Sequence, residues 1–486
     1  MPRNLLTQID EILAKFRADV EDKLEDWLAA RAPVAFREME EAAHADARRL
    51  ADAVVEGVLR ATLRDPVFQG MTSLAARGST GRRAEKREVT VRLLGGGRVR
   101  VRAEYLRPGR QGRARVRKGG YPALDALGIG FGVTPALGAE ICKQVTESES
   151  VRVGRAALAR RGIDPGHKQT LRILKGFGDR AVAQRNQWLE RARSEAATAG
   201  GALAGRRVVV AADGGRLRQR CPKRHGRPRK NGHRAYDAPW REPKLLTIYV
   251  IDATGKLEHT FAPVIDGTLD DADACFAMIV AYLRALGAHE ASELIVVGDG
   301  AAWIWNRVPA LTEALGIDPT RVREVIDFCH AVGALHEAAA AAVGWSSSDR
   351  RDWVARAVRH LRRGDVPSVL LMFDALGTSP DTEETRKHRA YFADNINRMH
   401  YRAFQVANVP IGSGAIESAI RRVVNLRMKG NGAFWLESSA QAMLLFRSYL
   451  KTGRFDNLFD WSISSAVPWW QPDGPPDLLK NPRIYA

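Results

Sequence analysis

Residues 206–215 read RRVVVAADGG and residues 293–301 read ELIVVGDGA. Each is a short, nearly uninterrupted aliphatic run that ends on an aspartate followed by glycine. A run of this length bounded by a turn signal predicts a strand buried on both faces, with a sharp exit from the sheet at the glycine. Taken singly, an Asp-Gly pair at a strand end is most often only a turn. Its recurrence makes Asp213 and Asp299 candidates for two carboxylates that act together.

Between the two runs, KLLTIYVID (244–252) and LEHTFAPVI (257–265) predict two further strands, and TLDDADACFAMIVAYLRALG (268–287) predicts a helix. After Asp299 come a helix, AWIWNRVPALTEAL (302–315), and a strand, VREVIDFCH (322–330). Three strands, a helix, a strand, a helix and a strand is the element order of the ribonuclease H fold. In that arrangement the first and fourth strands are neighbours, so Asp213 and Asp299 would meet at one rim of the sheet. Residues 345–405 read as helices without strands, a helical insertion into this α/β core of residues 206–450.

A rim of carboxylates suits Mg2+ or Mn2+, which prefer hard oxygen ligands and keep several waters. Two such ions would serve an in-line displacement at phosphorus. A third acid is needed, and Glu417 in PIGSGAIESAIRRVVNLRMKGNGAFW (410–435) is the candidate. The bland alternative is an acid favoured by the helix dipole in a first turn and paired with Arg421 at i, i+4. A capping box from Ser413 would need its acid at 416, which is isoleucine.

The motifs AADGG, GDGAAWIWN, DFCHAVGALHE and GSGAIES followed by RMKGNGAFW occur in this order. Together they resemble the DDE transposases of bacterial insertion sequences, in particular the ISKra-type branch akin to Mutator-like transposases. The resemblance implies that Asp213, Asp299 and Glu417 form a catalytic, metal-binding triad, and that Asp327 and His330 form an accessory Asp-x-x-His element. It places Trp303 and Trp305 in the motif after the second aspartate, and Arg427, Lys429 and Gly430 in the basic motif after the glutamate. It implies cleavage at element ends and strand transfer into target DNA, with two Mg2+ or Mn2+ ions as cofactors and at least a homodimer on DNA. Relatives can carry a cysteine pair upstream, which YLRPGRQGRARVRKGGYP (105–122) lacks. Rival readings are a nuclease of the same fold without strand transfer, and a catalytically silent DNA-binding protein.

The charge balance agrees with a polyanionic partner: 75 Lys and Arg against 56 Asp and Glu give +19. Residues 216–244 carry 11 of these bases, Arg227 and Lys230 among them, in a segment too long for a hairpin turn. Such a loop beside a metal site would grip the DNA backbone, and its Tyr236 and Trp240 would either stack on an unpaired base near the cut or pin the loop to the core. Four scattered cysteines without a CxxC pair signal neither a disulfide framework nor a zinc cluster. A zinc site from Cys329, His330 and His336 is disfavoured by the adjacency of the first two.

Upstream, residues 1–75 predict two long amphipathic helices broken near Pro33, a packing or dimerising pair, with a Gly-, Ser- and Arg-rich linker over 67–87. EVTVRLLGGGRVRVRAEYL (88–106) alternates strictly about three glycines and predicts a hairpin. The basic residues of 107–118 would follow it onto phosphates. Two helices about GIDPG (162–166), the second opening with His167 and Lys168, suggest a helix-turn-helix within a DNA-binding region of residues 88–200. The tail over 451–486, rich in Pro and Trp, reads as irregular. The N-terminus has no apolar core of signal-peptide type, and no stretch approaches 18 uncharged apolar residues, so a cytoplasmic, nucleoid-associated protein is expected.

Overall fold

In the computed structural model the described residues are 3–77, 82–107, 110–111, 114–115, 120–195, 197, 199–222, 235–342, 344–375, 383–430 and 432–464. The chain divides into two compact units, residues 1–181 with 455–477 and residues 182–454 with 478–486. Among the described residues no helix is long and apolar enough to cross a membrane.

The first unit opens with α1 (Arg3–Glu21) and α2 (Pro33–Arg64), with Pro33 in the first turn of α2, where its missing N–H costs nothing. The stretch 67–87 is not a linker throughout. Asp65 accepts a hydrogen bond from Val67 N at 2.8 Å and starts α3 (Pro66–Arg77), which buries Phe68. A strand, β1 (Arg82–Arg92), follows, and residues 78–81 lie outside the described residues.

β1 pairs antiparallel with β2 (Arg98–Arg107), Val89 opposite Val101 and Val91 opposite Val99. This is the predicted hairpin, with Val91, Leu93, Val99 and Val101 buried on one face. Gly96 takes φ +97° in its turn, a conformation open to glycine. The Asp52 carboxylate of α2 accepts from Gly95 N at 2.9 Å and Gly97 N at 2.7 Å. α2 thus holds the turn, and these helices and the hairpin fall within one compact unit, residues 1–181 with 455–477.

The helices α4 (Pro135–Glu147), α5 (Val151–Ala159) and α6 (His167–Ser194) complete the sequence of elements, α5 capped by Ser150. Lys168 is exposed near the start of α6. The expected irregular tail contains a helix at 455–464, whose Phe459 meets Phe177 at 4.7 Å between ring centroids. Four large side chains, Phe455, Leu458, Phe459 and Trp461, give it an apolar face that is buried.

The second unit is built on a five-stranded sheet of β3 (Arg207–Gly214), β4 (Lys244–Ile251), β5 (Val264–Thr268), β6 (Glu293–Gly298) and β7 (Val322–Ile326). Their spatial order is β5-β4-β3-β6-β7. β4 runs antiparallel to β3 and β5, whereas β6 is parallel to β3 and to β7. β3 is buried over Val208–Ala212 and β6 over Leu294–Gly298, as the aliphatic runs predict. β5 begins at Val264, seven residues later than LEHTFAPVI suggests, because Pro263 just precedes it and Leu257 makes only an isolated bridge to Ile251.

Helices cover the sheet, among them α7 (Ala272–Ala285) and α8 (Phe328–Ala341). Residues 345–405 carry α9 (Ser347–Arg363), α10 (Val366–Asp374), α11 (Glu383–Asp394) and a short helix Tyr401–Val406, with no strand among the described residues.

Within the second unit, a buried ion pair holds the part of α6 from residue 182 onward to the sheet. Arg185, 2% exposed, donates to Asp266 at 2.9 Å and to the Gly267 carbonyl at 3.2 Å, while Tyr282 donates to the other Asp266 oxygen at 2.7 Å. Removing one partner of such a pair strands the other charge, so Arg185→Met should lower unfolding free energy by about 3–5 kcal/mol in a urea melt.

Candidate active site

Asp213 and Asp299 lie level with each other on adjacent parallel strands. Val297 pairs with Ala211, and each aspartate stands two residues further on. Gly298 in turn pairs with Ile326, which puts Asp327 level with Asp299 on the third parallel strand. The chain leaves β3 toward β4 on one side and β6 toward β7 on the other, so the rim between β3 and β6 is a topological switch point, where open α/β sheets form a crevice. Gly300 is required there: its φ is +94°, and a Cβ would lie 2.3 Å from the Tyr391 ring.

Glu417 arrives from a distant part of the chain, on α12 (Gly414–Ile420). Ile416, Ala419 and Ile420 are buried and fix that helix, leaving the Glu417 side chain 51% exposed. The helix runs on into a π-turn over Arg421–Asn425, a wider winding found often at functional sites. Buried Arg447 donates to the Val423 carbonyl at 2.6 Å and also to that of Arg422. Ser413 Oγ donates to Glu417 Oε1 at 2.9 Å, and His330 Nδ1 stands 3.9 Å from the same oxygen. No ion pair between Glu417 and Arg421 forms among the described residues, so the i, i+4 reading of this acid does not hold.

Asp327 joins these parts. One oxygen caps α8 by accepting from His330 N at 2.7 Å and also meets His330 Nδ1 at 3.1 Å. The other accepts from Ser413 N, at the start of the Glu417 helix. Burial opposes ionisation of Asp327, but the hydrogen bonds from His330 and Ser413 outweigh it and hold the carboxyl well below the usual carboxylate range. The same hydrogen bond, with the charges of Asp327, Asp299 and Glu417, pushes His330 up to about 9 against its partial burial.

Asp213 moves the other way. Burial, together with the charges of Asp299 and Glu417, raises it to about 6, against the Gly214 N–H and His330. One aspartate thus senses Asp299, Glu417 and His330 together, which brings the three predicted acids and the predicted histidine into one electrostatic neighbourhood.

Donor atoms of Asp327, His330 and Glu417 lie within 4.8 Å of one another, close enough for one cation. The hydrogen bonds argue against Asp327 as a ligand, since both its oxygens are occupied by donors and its side chain is 2% exposed. Among the described residues the donor atoms of Asp213, Asp299 and Glu417 do not all come within 4.8 Å of one another. All three offer hard carboxylate oxygens, and Asp213 is raised first by its burial and only then by the charges of Asp299 and Glu417.

The predicted accessory residues divide. Lys429 and Arg421 are exposed. Arg427 is not presented to a ligand: it is 7% exposed, with its guanidinium 5.2 Å from the Trp435 ring centre. Trp303 is partly buried between Phe276 and Lys244, whose Nζ is 4.5 Å from the ring centre. Trp305 is buried in the core. Arg227, Lys230 and most of the basic loop 107–118 lie outside the described residues.

Sequence reasoning missed Tyr391 of α11, which with Asp299, Cys329, His330, Lys387 and His388 lines a cavity of about 480 Å³. Its place in a helical insertion gave no signal. No family model, no curated protein and no solved structure matches the chain.

Proposed function

We propose that this chain is a DDE transposase that carries out phosphoryl transfer on DNA from a ribonuclease H-like sheet. The observation that carries the reading is the level placement of Asp213 and Asp299 at the ends of neighbouring parallel strands, with Glu417 close enough to perturb Asp213. The strand order β5-β4-β3-β6-β7, antiparallel only at β4, supports it, since it is the order in which the first and fourth core strands become neighbours. The charge of +19 supports a polyanionic substrate.

Asp213, Asp299 and Glu417 would hold Mg2+ or Mn2+, which supplies Lewis-acid polarisation of a phosphate and a more acidic attacking hydroxyl. Ser413 and His330 orient Glu417, and Asp327 fixes both. Lys429, Arg421 and Arg422 along the same segment are exposed and would bind the backbone of DNA. Little covalent work falls to the protein in phosphoryl transfer, so positioning and charge dominate. Exposed Leu6, Leu13, Leu28, Val34 and Phe36 on the N-terminal helices support self-association of the kind that pairing two DNA ends requires.

The test is cleavage and joining of a labelled fragment of the gene's own flanking DNA with Mg2+ or Mn2+. Metal-dependent nicking at a repeat boundary followed by joined products supports transposition. Nicking without joining favours a nuclease, and binding without nicking under either metal defeats the catalytic reading.

A further inference from the structure

Beside the candidate site the chain builds a second, smaller sheet from Leu217–Gln219, Trp240–Arg241 and Phe434–Trp435. Arg218 is the cross-strand partner of Trp240 on one side and of Phe434 on the other. Directly opposed residues share a face, so Phe434, Arg218 and Trp240 form one row across the sheet. On the alternate positions Leu217 is fully buried and Trp435 packs on the core. The row therefore faces solvent, with Trp240 52% and Phe434 40% exposed.

Arginines hold the rings of this surface. The Arg218 guanidinium lies 4.7 Å from the Trp240 ring centre, and that of Arg220 lies 4.4 Å from the ring centre of Tyr236. Tyr236, 38% exposed, leans on Phe434 at 5.6 Å between centroids. An apolar protein partner would meet guanidinium groups set between the rings, at a cost in desolvation. A polymer with negative charge along its backbone and flat π faces along its bases meets complementary groups at every contact. In a duplex those faces are covered by neighbouring base pairs, so the matching state is unpaired.

We propose that Trp240, Tyr236 and Phe434, with Arg218 and Arg220, form a stacking platform for unpaired bases of a single-stranded DNA segment. Leu217 follows Asp213 by four residues, a span of at most about 14 Å of extended chain. Gly215 N, bonded to the Pro243 carbonyl at 2.8 Å, ties the platform's base to the start of β4. A strand leaving the candidate site therefore reaches these rings within a few nucleotides. The platform takes bases of any sequence, because stacking needs only a π face. The inference rests on the DNA reading above for the identity of the polymer.

The experiment uses the full chain in EDTA with fluorescein-labelled oligonucleotides: a single strand, a blunt duplex, and a duplex with an unpaired tail. Fluorescence anisotropy is read for wild type, Trp240→Ala, Tyr236→Ala and Trp240→Phe. Each alanine variant should weaken single-strand and tailed binding at least about fivefold, and up to about 150-fold, while leaving the blunt duplex nearly unchanged. Trp240→Phe should recover most of the loss, since it keeps a stacking face. Equal losses on all three oligonucleotides, or unchanged affinity for the single strand, would overturn the platform. The assay contains no divalent metal and reads no cleavage, so its failure is separate from a failure of the phosphoryl-transfer reading.

Discussion

Asp213→Asn, Asp299→Asn and Glu417→Gln should each reduce metal-dependent strand cleavage by roughly a thousandfold or more, with DNA affinity in EDTA unchanged. Each substitution removes one anionic oxygen donor, and the charge stabilisation so lost is worth several kcal/mol in the transition state. The three should also be non-additive, because a donor set missing one member is already defective. Asp213→Asn carries a second, opposite signature. A carboxyl raised to about 6 in the folded protein is disfavoured as an anion there, and metal-free stability should fall as pH climbs from about 4 through that value. The asparagine variant should lack this fall and melt above wild type at neutral pH in EDTA, while being inactive. A variant that melted lower and had lost both activity and DNA binding would speak for misfolding. One that cleaved at the wild-type rate would remove Asp213 from the triad.

The parts of this molecule that could be read from sequence are those where local pattern leaves little choice. VVVAAD and LIVVGD are too apolar to face water on either side, so burial in the middle of a sheet is their stable outcome, and the glycine after each acid marks the rim. The β1–β2 hairpin followed from alternation about three glycines for the same reason.

What escaped depends on partners far away in the chain. Asp327 looks from sequence like half of an Asp-x-x-His pair, yet its second oxygen is taken by Ser413, 86 residues on. Arg427 sits in a basic motif that suggests a solvent-facing cation, but Trp435 folds over it and donates its indole N–H to the Met428 carbonyl at 3.0 Å. The 455–464 helix was hidden because its aromatic residues share the composition of the irregular segment after it. Composition reports burial only where periodicity can be separated from its surroundings.

The second large effect is expected at a residue that need not touch substrate. Asp327→Ala removes the cap of α8 and leaves the Ser413 N–H without its acceptor. The cap is worth about 1 kcal/mol and the stranded donor about 1–3 kcal/mol, so unfolding free energy should drop by roughly 2–4 kcal/mol. Asp327→Asn separates the two roles. Asparagine caps helices as well as aspartate does, but its single carbonyl oxygen cannot serve both His330 N and Ser413 N, and its amide turns a donor toward one of them. The variant should fold with a smaller loss, yet release the Glu417 helix from its anchor. A displacement of about 1 Å at a reacting centre can cost on the order of a hundredfold in rate. Asp327→Asn should therefore show a fall of that size in cleavage, a higher Mg2+ concentration for half-maximal rate, and unchanged DNA affinity. The pH dependence supplies an independent reading. His330, raised to about 9, contributes stability that is complete below its unfolded value and fades as pH rises through 9. In EDTA, wild-type melting temperature should decline across that alkaline window, by a modest amount because the imidazole is nearly half exposed. With its carboxylate partner replaced by an amide, the decline should shift toward pH 6.5. An Asp327→Asn protein with the wild-type Mg2+ requirement and an unshifted alkaline decline would show that Glu417 is held in place by its own helix packing, without help from Asp327.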